Sequence, residues 1–254
     1  MTTTDESDAG DVREPQHHRT IDRVTRILEE VVYHPGMTFA ELARAVDAPK
    51  SSVYGFIRGL VAAGWLYQDD THFFIGPALH ALNLASGHLR PGSVTDSDLQ
   101  ALHDAAGLTV FLGVRAGQDL IYVAEAGADL LPAFAARTNI RRKLLATAGG
   151  KALLAELPAD QRNAYLRRRE PEEASLVDQF LDEYDGIKRT RIAHNTLHNG
   201  ARSALATVVH GPSGTAAAEV TLVGRSEDVV PRKEELAKLL LKHVDSWQKR
   251  SSAR

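Results

Sequence analysis

Helical periodicity broken once, at a proline, is the feature that most restricts what this chain can fold into. In MTFAELARAVDAPKSSVYGFIRGLVAAGWLYQDDTHFFI, from Met37 to Ile75, residues Phe39, Leu42, Ala43 and Val46 recur at helical spacing. Ala48-Pro49-Lys50 interrupts, and Val53, Phe56, Ile57, Leu60 and Ala63 resume the same period. A proline disfavours helix in the residue before it and suits the first turn of the next one, whose free N–H groups Ser51 or Ser52 can cap. The pattern predicts helix, tight turn, helix. Gly64 ends the second helix, and Trp65-Leu66-Tyr67, Gln68-Asp69-Asp70-Thr71 and His72-Phe73-Phe74-Ile75 read as a hairpin. The whole predicts a winged helix-turn-helix.

With the apolar stripe of the second helix turned inward, Ser51, Gly55, Arg58 and Ala62 face outward, with Tyr54 on the flank. No acid occurs between Lys50 and Gly64. A small, polar, positive face of this kind suits the major groove: Arg58 for a bidentate contact to guanine, Tyr54 and Ser52 for phosphate or a base edge, Gly55 for close approach. The candidate DNA-contacting residues are Lys50, Ser51, Ser52, Tyr54, Gly55 and Arg58. The rival reading is a small helical subdomain packed against something else.

Bulk properties narrow the surroundings. The 254 residues allow one large or two modest domains, and 43% hydrophobic content is ordinary for a globular chain. No apolar run approaches the roughly 18 residues of a membrane span, and the polar N-terminus is no signal peptide, so the expected location is cytoplasmic. Zero cysteines exclude disulfides, thiolate catalysis and Cys-ligated metal sites. A net charge of −3 argues against indiscriminate coating of nucleic acid.

Residues 1–18 hold five acids and one arginine and lack the apolar residues to pack, which predicts a disordered tail; His17-His18 within it makes a weak metal site. Thr20 can cap a helix with Ile21, Val24, Ile27, Leu28 and Val31 on one stripe, and residues 19–76 thus form the DNA-binding domain. From Gly76-Pro77, the apolar residues Ala78, Leu79, Leu82, Leu84 and Ala85 exceed what one side of an isolated helix needs. Residues 77–95 are read as a linker helix with a sticky face, a contact for a homodimer on a palindromic operator or for packing within its own domain.

Residues 96–254 form the second domain. Asp96 or Ser97 can cap a helix containing Leu99, Leu102 and Ala106, stopped by Gly107. Strands 108–115 and 119–125 follow, joined by Ala116-Gly117-Gln118, and a basic stretch from Arg137 to Lys143 leads into LLATAGGKALLA. Its Gly-Gly-Lys lacks the GxxxxGK[ST] spacing, and Ala152 stands where a metal-binding hydroxyl is needed, so no nucleotide triphosphate site is expected. Gly149-Gly150 at a helix start does offer N–H groups for a carboxylate. Helices are predicted over 158–169 and 175–191, then a loop at His194-Asn195-Thr196-Leu197-His198. Strands near 201–210 and 215–224 follow, and a last helix from about 229 to 250. His194 and His198 are four apart, but Asn195 stands where a zinc protease has Glu, so neither metal nor cofactor is expected.

These features in this order, a winged head, the YGFIRGLVAAGWL helix, the FFIGPALHALNLA linker, the ATAGGKALLA helix and the GARSALATVVHGPSG strands, resemble the IclR family of bacterial transcriptional regulators over roughly residues 20–250. The resemblance implies an α+β chain: a winged helix-turn-helix joined by a linker helix to a GAF-like effector-binding domain with an antiparallel sheet. It also implies dimers or dimers of dimers that repress or activate genes of small-carbon catabolism in response to a metabolite. By position, the implied effector site takes in Leu144, Thr147, Ala148, Gly149, Gly150, Ser203, Thr221 and Val223, with Phe111 and Tyr122 as a wall. Ala193 or His194 stands where some members place an acid, Ser203 where several have Cys, and Val223 replaces a hydroxyl. These departures point to a larger, partly apolar organic acid, aromatic ones included, with His194 contacting its carboxylate or hydroxyl. For each of these residues plain core packing is the rival reading.

The expected function is a DNA-binding transcriptional regulator, a repressor rather than an activator, whose operator affinity follows a small organic acid. Two other classes compete: an enzyme with an appended helix-turn-helix, using His194 or His198 as acid-base catalyst, and an architectural DNA binder without effector. No GxSxG elbow, paired-carboxylate motif or cofactor loop supports the first, and the second leaves about 150 residues without a role.

Overall fold

A computed structural model describes residues 18–46, 48–85, 94–127, 141–197, 199–211 and 214–252. The tail to His17, Gly87 and Pro91-Gly92 of the linker, the basic residues 137–140 and His198 lie outside them. The chain divides into two compact units between Leu82 and Asn83.

The first unit begins with α1 (Arg19–Tyr33), β1 (Met37–Thr38), α2 (Phe39–Ala45) and α3 (Lys50–Ala62), followed by β2 (Leu66–Asp69) and β3 (His72–Ile75). The two strands pair antiparallel, Leu66 opposite Ile75 and Asp69 opposite His72, and β1 adds a third strand beside β3 that the sequence reading did not anticipate. Ile27, Val31, Leu42, Val46, Val53, Ile57, Leu60, Leu66 and Phe73 form one core, which fixes the inward stripes of all three helices. Thr38 starts α2 with a capping box: its hydroxyl accepts from the Glu41 N–H, and Glu41 accepts from the Thr38 N–H at 2.8 Å.

Several terminal assignments shift. Thr20 lies inside α1, which starts at Arg19 after His18, and Ile21 is exposed. Neither Ser51 nor Ser52 caps α3: Pro49 holds that position, and its carbonyl accepts the Ser52 and Val53 N–H groups. Ala63 is an exposed end residue of α3, not part of its buried stripe. Helix α4 (Pro77–Ala85) carries Leu79 and Leu82 exposed.

The second unit contains α5 (Asp96–Ala106), β4 (Thr109–Ala116), β5 (Asp119–Ala126) and β6 (Arg141–Lys143). A short 3-10 turn (Leu144–Ala146) then leads into α6 (Ala148–Glu156), α7 (Ala159–Arg167) and α8 (Ala174–Thr190), and the unit closes with β7 (Ala193–Leu197), β8 (Arg202–His210), β9 (Ala216–Arg225), α9 (Ser226–Val229) and α10 (Lys233–Ser252). The six strands form one antiparallel sheet in the order β6-β5-β4-β9-β8-β7. The segment expected as a loop at His194–His198 instead lies, as far as Leu197, in a strand over Ala193–Leu197, an edge of this sheet. The cap of α5 is Thr95 rather than Asp96 or Ser97, again in a capping box, here with Asp98.

Both faces of the sheet are covered, and this sets where every site residue points. Leu99 and Leu102 of α5 and Leu236, Leu240, Val244 and Trp247 of α10 pack against Val110, Leu205, Val209, Val220 and Leu222. On the other face Leu153 and Leu154 of α6, Tyr165 of α7 and Phe180 of α8 pack against Phe111, Leu120, Ala204, Ala206 and Val223. A clasp closes the unit: Arg250 near the end of α10 donates to both Asp98 carboxylate oxygens at 2.6 and 2.7 Å.

Candidate functional site

The outward face of α3 carries exposed Lys50, Ser51, Tyr54, Gly55 and Arg58, with Ser52 half-buried at its edge. The guanidinium of Arg58 lies over the Tyr54 ring, 5.8 Å from its centre, and that ring meets Phe39 of α2 edge-on at 6.0 Å. Two aromatic contacts thus brace the arginine from below while its donors stay in water. Among the described residues Arg58 forms no ion pair, so its charge is free for an external acceptor. A Cβ at Gly55 would meet nothing within 4 Å, which leaves the middle of this face open to a close surface.

The second group lies between the sheet and α6. Phe111 and Tyr122 stand on this face as a tilted pair with ring centres 4.9 Å apart. Thr221 pairs with Phe111 and Val223 with Thr109, which places both on the same side. Leu144, Thr147, Ala148, Gly149 and Gly150 approach from the α6 end, all buried. Thr147 caps α6 by accepting the Gly150 N–H at 3.0 Å. One of the N–H groups expected to bind an external carboxylate is therefore already used.

What lies against Gly149 is a carboxylate of the chain itself. Glu219 of β9 is fully buried on this face, and a Cβ built on Gly149 would sit 2.3 Å from its carboxyl carbon. On the other side a Cβ on Gly113 would sit 2.2 Å from Glu219 Oε1. Two bare Cα positions, one on α6 and one opposite Glu219 in the strand pairing, make the room for this side chain. Thr221 donates to Glu219 Oε2, and among the described residues Oε1 has no partner. Burial pushes Glu219 up to about 8, offset only in part by the Thr221 hydrogen bond. Burial, with Glu219 beside it, also pushes the Tyr122 hydroxyl well above the usual phenol range.

Two expected members do not join this group. Ser203 alternates with Ala204, which packs on the α6 side, and so points to the α5–α10 face. There its hydroxyl meets that of Ser226 at 2.8 Å. His194 pairs with Leu205 of that same far face, and its ring lines an open groove of about 930 Å³ between α8 and α10, with Glu183, Lys233 and Lys238 among its neighbours. Burial and then the Lys233 charge hold this imidazole below its usual range. The strand-mate that does reach the α6 side is Asn195, which donates to the Ala146 carbonyl at 2.8 Å. Lys151 of the Gly-Gly-Lys segment is fully buried and pairs with Glu183 at 2.9 Å, a structural role away from any phosphate. Glu219 escaped the sequence reading although one signal marks it: an acid inside the apolar strand AAAEVTLV, two residues before Thr221.

Residues 20–70 match the family model of the IclR helix-turn-helix domain, and residues 88–248 match that of the bacterial transcriptional regulator IclR C-terminal domain. The chain belongs to the IclR family of bacterial transcriptional regulators. It is 23% identical over 197 residues to the HTH-type transcriptional repressor AllR of Salmonella typhi, covering 73% of this chain and 71% of that protein. Against AllR of Klebsiella pneumoniae the identity is 26% over 125 residues, 48% of this chain and less than half, 46%, of the repressor. Among solved structures, an IclR homologue from Microbacterium hydrocarbonoxydans complexed with 4-hydroxybenzoate superposes with a TM-score of 0.72 at 16% identity, over 92% of this chain and 100% of that one. The Thermotoga maritima IclR superposes with a TM-score of 0.65 at 18% identity, over 93% and 100%. The α+β fold, a winged helix-turn-helix followed by an antiparallel-sheet domain, is the fold of this family. The family's work is DNA-binding regulation of transcription, and no helix among the described residues is long and apolar enough to cross a membrane.

Proposed function

We propose that this IclR-family regulator is a cytoplasmic repressor that holds a palindromic operator as a homodimer or dimer of dimers. An organic acid with an aromatic or other apolar body, bound between the sheet and α6, sets its affinity. The observation that carries the DNA half is the exposed, acid-free face of α3 with Arg58 braced on Tyr54. The acid half draws on the apolar, aromatic lining of Phe111, Tyr122, Leu144 and Val223. It draws also on likeness in fold to a homologue that holds 4-hydroxybenzoate, and the repressor role draws on likeness to AllR. Residues 77–95 are read as the stalk that sets the separation of two reading heads. An effector changes operator affinity only by favouring one separation over another, and a coupling of about 1–3 kcal/mol corresponds to a roughly 5–150-fold change.

The test is operator affinity of Arg58→Ala at fixed salt. A loss of about 1–3 kcal/mol with relaxed preference at one base position is expected. An equal loss on every sequence would make Arg58 a phosphate contact instead, and failure of the wild-type chain to bind its own upstream DNA at low salt would remove the regulator reading.

A further inference from the structure

We propose that Glu219 determines which effector this chain accepts: its unpartnered Oε1 carries a proton and donates it in a hydrogen bond to an acceptor oxygen of the bound acid. This rests on the acid-sensing reading above and names the group that would recognise the acid. Among the described residues Thr221 Oγ1 meets Glu219 Oε2 and no group meets Oε1, so Oε1 is the carboxyl oxygen left to face a ligand.

Among the described residues no cation acts on Glu219. Strand β4 presents Gly113 and Phe111, β8 presents Val208 opposite Glu219, and α6 presents Gly149. Strand β5 presents the Tyr122 hydroxyl, with Arg142 of β6 acting on that tyrosine, and Lys151 is turned away onto Glu183. An ionised carboxylate with one hydrogen bond in such a place is costly, and the raised titration near 8 is the expected response. A buried, neutral acid kept as a donor is a known device for holding oxyanions. Against a ligand carboxylate the result is a short charge-assisted O–H···O bond; an ionised Glu219 would repel the same ligand.

This turns the search for an effector toward acids whose acceptor oxygen reaches Glu219 Oε1, with the apolar body against Phe111 and Tyr122. It also gives binding a pH limit: affinity for an ionised acid falls as pH rises through the titration of Glu219.

The experiment uses the full chain with benzoate and 4-hydroxybenzoate as probes and benzamidine as the cationic counterpart of the same shape. Calorimetry on the wild type should show acid binding that weakens roughly tenfold for each pH unit above about 8. Glu219→Gln, whose amide still donates, should keep acid binding and lose the pH dependence, and Glu219→Met should lose binding by roughly tenfold or more. An infrared difference between wild type and Glu219→Gln should carry the band of a protonated carboxyl at neutral pH, a readout that needs no ligand. A carboxylate band at neutral pH overturns the assignment, as does undiminished acid binding by Glu219→Met. A preference for benzamidine overturns it as well. Failure of the acid-sensing reading itself looks different: the protonated band stands while no acid binds the wild type, and the ligand assigned to Glu219 then falls with it.

Discussion

On the outer face of α3, the proposed DNA-reading face, Arg58 and Tyr54 stand exposed in water, whereas Glu219 reaches no solvent and is defined by what encloses it. The two sites obey different energetics. Exposed Arg58, as a proposed DNA contact, would work by Coulomb attraction and geometry, so its contribution should be sensitive to salt. Glu219 has lost hydration, so its protonation state is set by burial, and its contribution is sensitive to pH. The contrast teaches that one chain can place its proposed DNA contact and its proposed sensor under separate solution controls.

The largest expected effect tests whether the sheet–α6 face is as dry as that contrast requires. Glu219 titrates higher folded than unfolded, so the native chain binds its proton more tightly; the stability this confers is complete below about pH 4.5 and is lost as pH rises toward about 8. Relative to Glu219→Gln, which cannot ionise, the wild type should lose about 1.4 kcal/mol per pH unit, or about 4 kcal/mol between about pH 5 and about pH 8. Urea unfolding of both chains at the two pH values measures this, and parallel curves would break the comparison by showing Glu219 hydrated.

A smaller effect tests the packing that makes the face dry. A Cβ at Gly150 would sit 2.2 Å from the Leu144 carbonyl oxygen, a backbone atom that cannot rotate aside. Gly150→Val should therefore cost about 3 kcal/mol in the same measurement, and a loss below about 1 kcal/mol would mean that the turn before α6 yields easily. The smallest effect sharpens the assignment of faces. Ser203→Ala removes one hydroxyl contact with Ser226 and should cost about 1 kcal/mol of stability, leaving binding of acid probes unchanged; loss of acid binding would return Ser203 to the site.

The difference between the two sites also explains what could be read from sequence. The α3 face was legible because one side of that helix is wet: Val53, Ile57 and Leu60 repeat against a polar remainder, and the period alone points Arg58 outward. The hairpins β4–β5 and β8–β9 were legible for another reason: the turn residues Ala116-Gly117-Gln118 and Gly211-Pro212-Ser213-Gly214 separate their apolar runs. Strand β8 offers no such contrast, since it is covered on both faces and buried from Arg202 to Val209. Nothing in RSALATVVH says that Ala204 faces α6 and Ser203 faces away; only the register does. His194 was misplaced in the same way, on an edge strand read as a loop. Glu219 was passed over because its partners are two glycines far apart in sequence, and the space left by absent side chains has no signature in the chain.

The Asp98–Arg250 clasp has an architectural corollary. It brings the first turn of the second unit beside its last helix, so that its two ends meet at a single corner. A module with neighbouring ends tolerates being recut: joining 252 to 95 through a short bridge and opening the chain at the Gly117 hairpin should yield a permuted sensor with its interior undisturbed.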